Sequence, residues 1–321
     1  MLNSISDLLI APWATSVVFT AIRLKIFTIL SNERLSLKKL SSQCKAIPHL
    51  LKPVLDVCVS MGLMDLQNAK YKNSHFSLVY LVEGKPHYVG DFLQLLYDES
   101  KYWDRLYDVV LEGKCFTDKE PTDEAKLRTF IKAMNNLGML GEAEALRNFA
   151  DLSGCREMVD AGGGSGLYSI TFCQKYPDLR TTILDRSQTL VITEEMIGGY
   201  EGRERITLRE ADITKEPFGE NKDVVLLSDV IYDESTAESV LRNAWNCLRQ
   251  NGILIMRGYY SDPENSKPLF GALFVLNVIV FDPNKRVLTI SALEKRLRDI
   301  GFTVAITGHL TERSFAIIAK K

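Results

Sequence analysis

The sequence is short of the residues on which several common chemistries depend. Histidine occurs only four times in 321 residues, at positions 49, 75, 87 and 309, and none has metal-ligand spacing with another histidine or with cysteine. No zinc site or other metal centre is therefore expected. Cysteine is also sparse, with six residues (44, 58, 115, 155, 173 and 247) and no C-x-x-C pair. That usage fits reduced thiols in a cytoplasmic protein and argues against a disulfide framework. Neither charge sign dominates: 39 Lys and Arg stand against 41 Asp and Glu, a formal net charge of −2. A nonspecific nucleic-acid binder normally carries a basic excess. Long uninterrupted apolar runs are absent too. Residues 8–30 are rich in apolar side chains, but Thr20, Arg23 and Lys25 interrupt them, short of the roughly 18–20 consecutive apolar residues of a membrane span. No basic region followed by a small-residue cleavage site reads as a targeting signal.

What the chain does have is a glycine-rich turn in a specific setting. Met158-Val159-Asp160-Ala161-Gly162-Gly163-Gly164-Ser165-Gly166 ends a short apolar strand and opens a helical segment, Leu167 to Tyr176. Glycines there let the backbone turn tightly and present bare N–H groups to a ligand. The next strand-like run, Thr181 to Leu184, ends in Asp185, about 20 residues on, where nucleotide-binding α/β units place a ribose-binding acid. The spacing is G-x-G-x-G, and Asp160 precedes the first glycine. That carboxylate would repel a pyrophosphate but suits a cationic amino-acid end. From residue 156 onward strands and helices alternate, which predicts a mostly parallel sheet with right-handed crossovers. The strand candidates are 156–160, 181–185, 205–209, 223–228, 252–257, 303–307 and 314–319, the last two close enough for a hairpin.

Asp160-x-Gly-Gly-Gly-x-Gly166, Asp185, Glu210-Ala211-Asp212 and Leu227-Ser228-Asp229 resemble, in order and spacing, the motifs of class I S-adenosylmethionine-dependent methyltransferases. More narrowly, the chain resembles the two-domain small-molecule O- and C-methyltransferases of plants and bacteria, over nearly its whole length. The resemblance implies a Rossmann-like seven-stranded sheet, six strands parallel and one reversed. It also implies an N-terminal winged-helix domain that pairs two subunits. The expected organisation is a dimerisation domain over 1–110, a linker and connecting helix over 111–150, and a cofactor-binding domain over 151–321.

The N-terminal residues fit this plan. Ala14 to Leu30 reads as a helix with apolar residues on almost every side, and such a helix must be buried all round, either by a second subunit or as the central helix of one chain. The resemblance favours a homodimer. Leu35–Leu40, Pro48–Met61, Gly62–Met64 and Tyr71–Tyr80 follow in winged helix-turn-helix order. Ile47 to Pro53, where a recognition helix would start, offers few side chains that read bases, so nucleic acid is not an expected partner. The stretch from Glu112 to Lys126, with Gly113 and Pro121, reads as a loop. Thr122-Asp123 then caps a long amphipathic helix running to about Ala150, with Leu127, Phe130, Ile131, Met134, Leu137 and Leu140 at helical spacing.

Open α/β sheets bind ligands at the carboxyl ends of their strands, beside the switch in strand order. On that rule and the resemblance, Asp160, Gly162 and Gly164 face the methionine part of S-adenosylmethionine. Asp185 takes the ribose hydroxyls, with Arg186 near the adenine. Asp212 and Ile213 bond and cover the adenine ring, and Ser228 and Asp229 reach the amino or sulfonium region. By position in the family, Met134 and Asn135 face the acceptor, although Met134 fits core packing equally well. The acceptor pocket is expected to draw on Trp103 and Tyr102, and on Phe270, Phe274, Asn277, Val278 and Phe281, an apolar and aromatic lining suited to a flat or hydrophobic small molecule.

At the catalytic position the pattern breaks. O-methyltransferases of this family carry a general-base histidine in a segment like Leu-His-Asp-Trp, whereas this chain reads Ile231-Tyr232-Asp233-Glu234. The acidic partner expected near Ser291 and Ala292 is missing as well. Tyrosine, with an ordinary pKa near 10, is a poor base at neutral pH. Three mechanisms follow. An acceptor that is nucleophilic by itself needs only positioning; Tyr232 orients or polarises the acceptor; or the cofactor is retained in an enzyme that no longer methylates. Tyr232 as a plain wall residue is the simplest alternative to a catalytic role.

Overall fold

A computed structural model describes residues 4–115, 123–232, 234–260 and 267–321. The chain forms two compact units, residues 1–100 and 101–321.

The first unit is mainly helical. Helix α1 (Ile5–Arg23) starts from a reciprocal cap, Ser4 Oγ accepting from the Asp7 N–H and Asp7 accepting from the Ser4 N–H, which satisfies two backbone donors at its N-terminus. The single helix read across Ala14–Leu30 is in fact broken. Lys25 adopts a left-handed conformation (φ 53°), and a separate short helix α2 (Ile26–Leu30) follows. The all-round apolar pattern joins two helices in different settings. Ile26, Phe27 and Leu30 of α2 are buried in the unit's own core with Leu40, Leu51, Leu55, Cys58 and Met64. Ile22 is covered there too, and Phe19 lies edge-on to Tyr97 of the same unit. The apolar face left exposed lies earlier on α1, at Ile5, Leu8, Leu9, Ile10 and Trp13, the last 75% exposed. Among the described residues α1 alone has the length and composition of a membrane-crossing helix.

Strand β1 (Leu35–Ser36), helices α3 (Leu37–Gln43) and α4 (Pro48–Ser60), and strands β2 (Met64–Gln67) and β3 (Lys70–Asn73) form the winged helix, its sheet ordered β1-β3-β2. Pro48 starts α4 where its missing N–H costs nothing. Helix α5 (His75–Tyr80) follows, and α6 (Gly90–Trp103) runs past the division between the units.

The second unit continues with α7 (Leu106–Glu112), α8 (Glu124–Leu137) and α9 (Ala143–Phe149). Asp123 caps α8 by accepting the Ala125 N–H; Thr122 and Pro121 lie outside the described residues. The long helix expected to reach Ala150 is interrupted by a wide turn at Gly138–Glu142, where Gly141 takes φ 95°. The apolar periodicity continues through the break, so the pattern hides it; glycine permits it.

The sheet then runs β4 (Glu157–Ala161), α10 (Leu167–Lys175), β5 (Arg180–Asp185), α11 (Ser187–Ile197), β6 (Ile206–Glu210), β7 (Lys222–Ser228), α12 (Glu234–Cys247), β8 (Leu248–Gly258), α13 (Leu269–Phe281), α14 (Ile290–Ile300), β9 (Thr303–His309) and β10 (Phe315–Lys320). All seven strands stand where the alternation places them. Their order is β6-β5-β4-β7-β8-β10-β9, and β10 alone runs antiparallel to its neighbours β8 and β9. Strand order reverses between β4 and β7, which puts a crevice at the carboxyl ends of those strands. Val159, Leu184, Val225, Leu227, Leu254 and Met256 line one core layer, and Met158, Phe172, Val224, Leu226 and Ile255 another.

Candidate active site

The turn after β4 is built from backbone. Gly162 donates to the Leu184 carbonyl at 2.7 Å with φ 76°, and a Cβ there would lie 2.4 Å from Val230 Cγ1, a stiff β-branched side chain. Gly164, at φ 53°, faces open space: the nearest atom to a Cβ would be a backbone oxygen 4.0 Å away. Asp185 braces this turn. Its Oδ2 accepts the Gly164 N–H at 3.0 Å and its Oδ1 the Arg186 N–H at 2.8 Å, while Thr193 Oγ1 bonds the Gly164 carbonyl at 2.5 Å. The end of β5 thus holds the shape of the turn after β4.

Asp160 lies beneath that turn, 1% exposed. Ser169 Oγ donates to Oδ2 at 2.6 Å, and Oδ1 has no hydrogen-bond partner. Burial pushes this carboxyl up to about 7, with Ser169 drawing it back and the Asp185 charge adding to the rise. An isolated buried carboxylate is costly, so the site is built for a cation or a proton.

Asp212 has a different setting. Its Oδ1 accepts from the Thr214 N–H and hydroxyl, and its Oδ2 pairs with Lys215 at 2.8 Å. These contacts, the Lys215 and Thr214 hydrogen bonds first, hold its carboxyl down at about 2. Here the acid caps a turn, with Ile213 beside it on a loop that Asn243 fastens through the Ile213 and Glu216 carbonyls.

Asp229 follows β7 in the left-handed region (φ 55°), its N–H donating to the Arg257 carbonyl at 2.9 Å. Its Oδ2 pairs with Arg257 Nη1, and its Oδ1, like the neighbouring Ser228 hydroxyl, is buried without a partner. Arg257, near the end of β8, is 1% exposed. It reaches Glu142 at 3.1 Å and lies 4.1 Å from the Tyr259 ring centroid and 5.8 Å from that of Tyr168. Glu142, fully buried in the wide turn of the connecting segment, also binds Thr311, Ser314 and Arg313 of the last hairpin. Burial raises its pKa, but Arg257 and the hydroxyls outweigh that effect and hold it below the usual range. This charged network was missed from sequence. The available signal was Arg257, a lone charge closing the apolar run Ile253 to Met256, which a central strand tolerates only with buried partners.

The aromatic side chains gather beside it. Tyr232 lies 5.4 Å from Phe274, and Tyr259 lies 4.8 Å from Phe270 and 5.4 Å from Phe274 between ring centroids. Burial pushes the Tyr232 hydroxyl well above its ordinary value, and the phenols of Tyr260, Tyr259 and Tyr168 add to the shift. Asp233 lies outside the described residues. Trp103 Nε1 donates to Asn277 Oδ1 at 3.0 Å, and Tyr102 packs edge-on against Phe281 at 5.4 Å. On α8, Met134 is half-buried, and Asn135 lines a cavity of about 90 Å³ with Ser165, Leu167, Ile170, Met196 and Tyr200, behind the glycine turn.

Comparison with known proteins agrees with this architecture. The family model for the O-methyltransferase domain matches residues 90–303, and that for the O-methyltransferase dimerisation domain matches residues 6–83. A 3-hydroxy-5-methyl-1-naphthoate 3-O-methyltransferase of Streptomyces sahachiroi is 25% identical over 289 residues, covering 86% of this chain and 82% of the relative. An L-tyrosine C(3)-methyltransferase of Streptomyces lavendulae is 30% identical over 148 residues, 46% of this chain and 40% of that protein. The fold matches that of human N-acetylserotonin methyltransferase solved with S-adenosylmethionine, with a TM-score of 0.90 at 22% identity, over 98% of this chain and 96% of the other. The chain belongs to the O-methyltransferase family, dimerisation domain included, and is an S-adenosylmethionine-dependent methyltransferase.

Proposed function

We propose that S-adenosylmethionine is held along the carboxyl edge of β4 to β7 and that the acceptor is a small, largely apolar or aromatic molecule seated against Tyr232, Phe270 and Phe274. The observation carrying this reading is the pair of buried, partnerless oxygens, Asp160 Oδ1 and Asp229 Oδ1, at neighbouring strand ends on either side of the switch point. Such oxygens call for a cationic ligand, and the cofactor's amino-acid end is one. Asp185 would take the ribose hydroxyls, the open face of Gly164 would admit the ligand close to the backbone, and Arg186, Asp212 and Ile213 would flank the base. When bound, the cofactor supplies an electrophilic methyl group. The protein's part is to bind, orient and exclude water around it.

No described residue at the family's base position is suited to removing a proton at neutral pH. The Tyr232 hydroxyl is shifted away from ionisation, and the residues at 291 and 292 are serine and alanine. The acceptor's reacting atom is therefore one that is nucleophilic without an enzyme base. The relatives named above include methyltransferases of both oxygen and carbon acceptors. Calorimetry with S-adenosylhomocysteine tests the cofactor half: micromolar binding in the wild type, lost in Asp160→Asn and Asp229→Asn, is the expected result, and unchanged binding in both variants refutes it.

The exposed α1 face at Leu8, Leu9 and Trp13, within the matched dimerisation domain, supports a homodimer and gives that apolar helix a protein partner in place of a membrane. Sedimentation at micromolar concentration should find a dimer, and Leu9→Asp should shift it to monomer or aggregate.

A further inference from the structure

The Glu142–Arg257–Asp229 network has a geometry that a purely structural ion pair does not need. Asp229 sits in a backbone conformation that few non-glycine residues adopt. Two bonds keep it there: its N–H to the Arg257 carbonyl, and its Oδ2 to the Arg257 guanidinium. With Oδ2 engaged, Oδ1 is left partnerless. The guanidinium is confined on its other side: Nη2 is ion-paired with Glu142 at 3.1 Å, without a hydrogen bond, and the Tyr259 ring covers the group at 4.1 Å, while Nε has no hydrogen-bond partner. Glu142 is fixed in turn by Thr311, Ser314 and Arg313. A planar, bidentate guanidinium suits this bridging task where an ammonium does not.

We infer that Arg257 is a positioning residue: anchored by Glu142, it fixes the Asp229 carboxylate so that Oδ1 is presented to the amino-acid end of the cofactor. The inference rests on the assignment of Asp229 to that end of the ligand. It gives the interrupted connecting helix a role, since the turn at Gly141 is what delivers Glu142 to the network.

The test separates the two ends of the ligand. S-adenosylhomocysteine carries both adenosine and amino-acid end; 5′-methylthioadenosine keeps the adenosine and the thioether only. Arg257→Met should weaken S-adenosylhomocysteine by about tenfold or more, the worth of one misplaced charge-assisted hydrogen bond. Binding of 5′-methylthioadenosine should stay within about twofold. A merely structural role would weaken both ligands together or neither, and either result overturns the inference. Removing one member of a buried ion network can unfold a protein, so Arg257→Lys, which keeps the charge but lacks the fork, is the second variant and should show the same split. A wild type that binds neither ligand refutes the cofactor assignment and this inference with it. Wild-type binding with no split in the variants refutes the inference alone.

Discussion

The two sides of the site are built from different materials. On the β4–β5 side, backbone N–H groups, glycines and carboxylates dominate: Gly164 and Arg186 donate to Asp185, and Ser169 to Asp160. On the α13 side, Tyr232, Tyr259, Phe270 and Phe274 present rings, with the Arg257 guanidinium against Tyr259. The first side sets a fixed pattern of donors and acceptors, which suits one invariant ligand. The second offers area and shape, which suits a variable apolar one. Under the proposed function, no described residue on either side is given the task of removing a proton from the acceptor.

The comparison breaks first, and by the largest effect, at Asp185. Its two oxygens brace the glycine turn, and in the proposed complex they meet the ribose as well. Asp185→Ala should therefore weaken S-adenosylhomocysteine binding by roughly 2 to 4 kcal/mol, the loss of two charge-assisted bonds. Titration calorimetry checks this, and unchanged affinity would remove Asp185 from the site.

That side of the site was also the more legible in sequence. Glycine turns and strand-end acids have fixed spacing because backbone geometry imposes it, so Asp160, Gly164 and Asp185 could be placed from the string alone, as could all seven strands. The interruptions were not legible. The α1–α2 break at Lys25 and the wide turn at Gly141 fall inside continuous apolar periodicity, and tertiary burial decides them. The Arg257 network escaped for a related reason. Its partners, Glu142, Asp229 and Arg313, are far apart in the chain, and only the folded sheet brings them together.

A second effect, of order 1 to 3 kcal/mol, separates the sides by pH. Asp160 titrates near 7 in the folded, ligand-free protein and near 4 when unfolded. Between those values the folded chain holds a proton that the unfolded chain has released. Stability of the ligand-free protein should therefore decline as pH rises from about 4 to 7 through this group. Glu142, held below the usual carboxylate range, acts oppositely: its contribution is present above the unfolded value and is lost as pH falls through the folded one. Thermal unfolding from pH 5 to 8 should show the Asp160 decline in the wild type and its absence in Asp160→Asn. If the variant declines in parallel, another group is responsible.

The smallest effect is expected at Tyr232→Phe, and its smallness is what makes it informative. The substitution keeps the ring packed on Phe274 and removes only a hydroxyl whose surroundings push it away from ionisation. Turnover should fall by no more than a few-fold, against the ~10²- to 10⁴-fold typical of losing a general base. None of the four histidines stands at the family's base position, and His309 ends β9 with its ring tilted against Phe315 at 3.7 Å. Replacing each singly should leave activity within about tenfold. If no enzyme base operates, the pH profile of kcat must follow the acceptor: a limb that moves when acceptors of different acidity are compared, and stays unchanged in Tyr232→Phe. A limb that stays fixed across acceptors but vanishes in Tyr232→Phe would place the phenol in the chemistry, and the aromatic side of the site would then hold more than a wall.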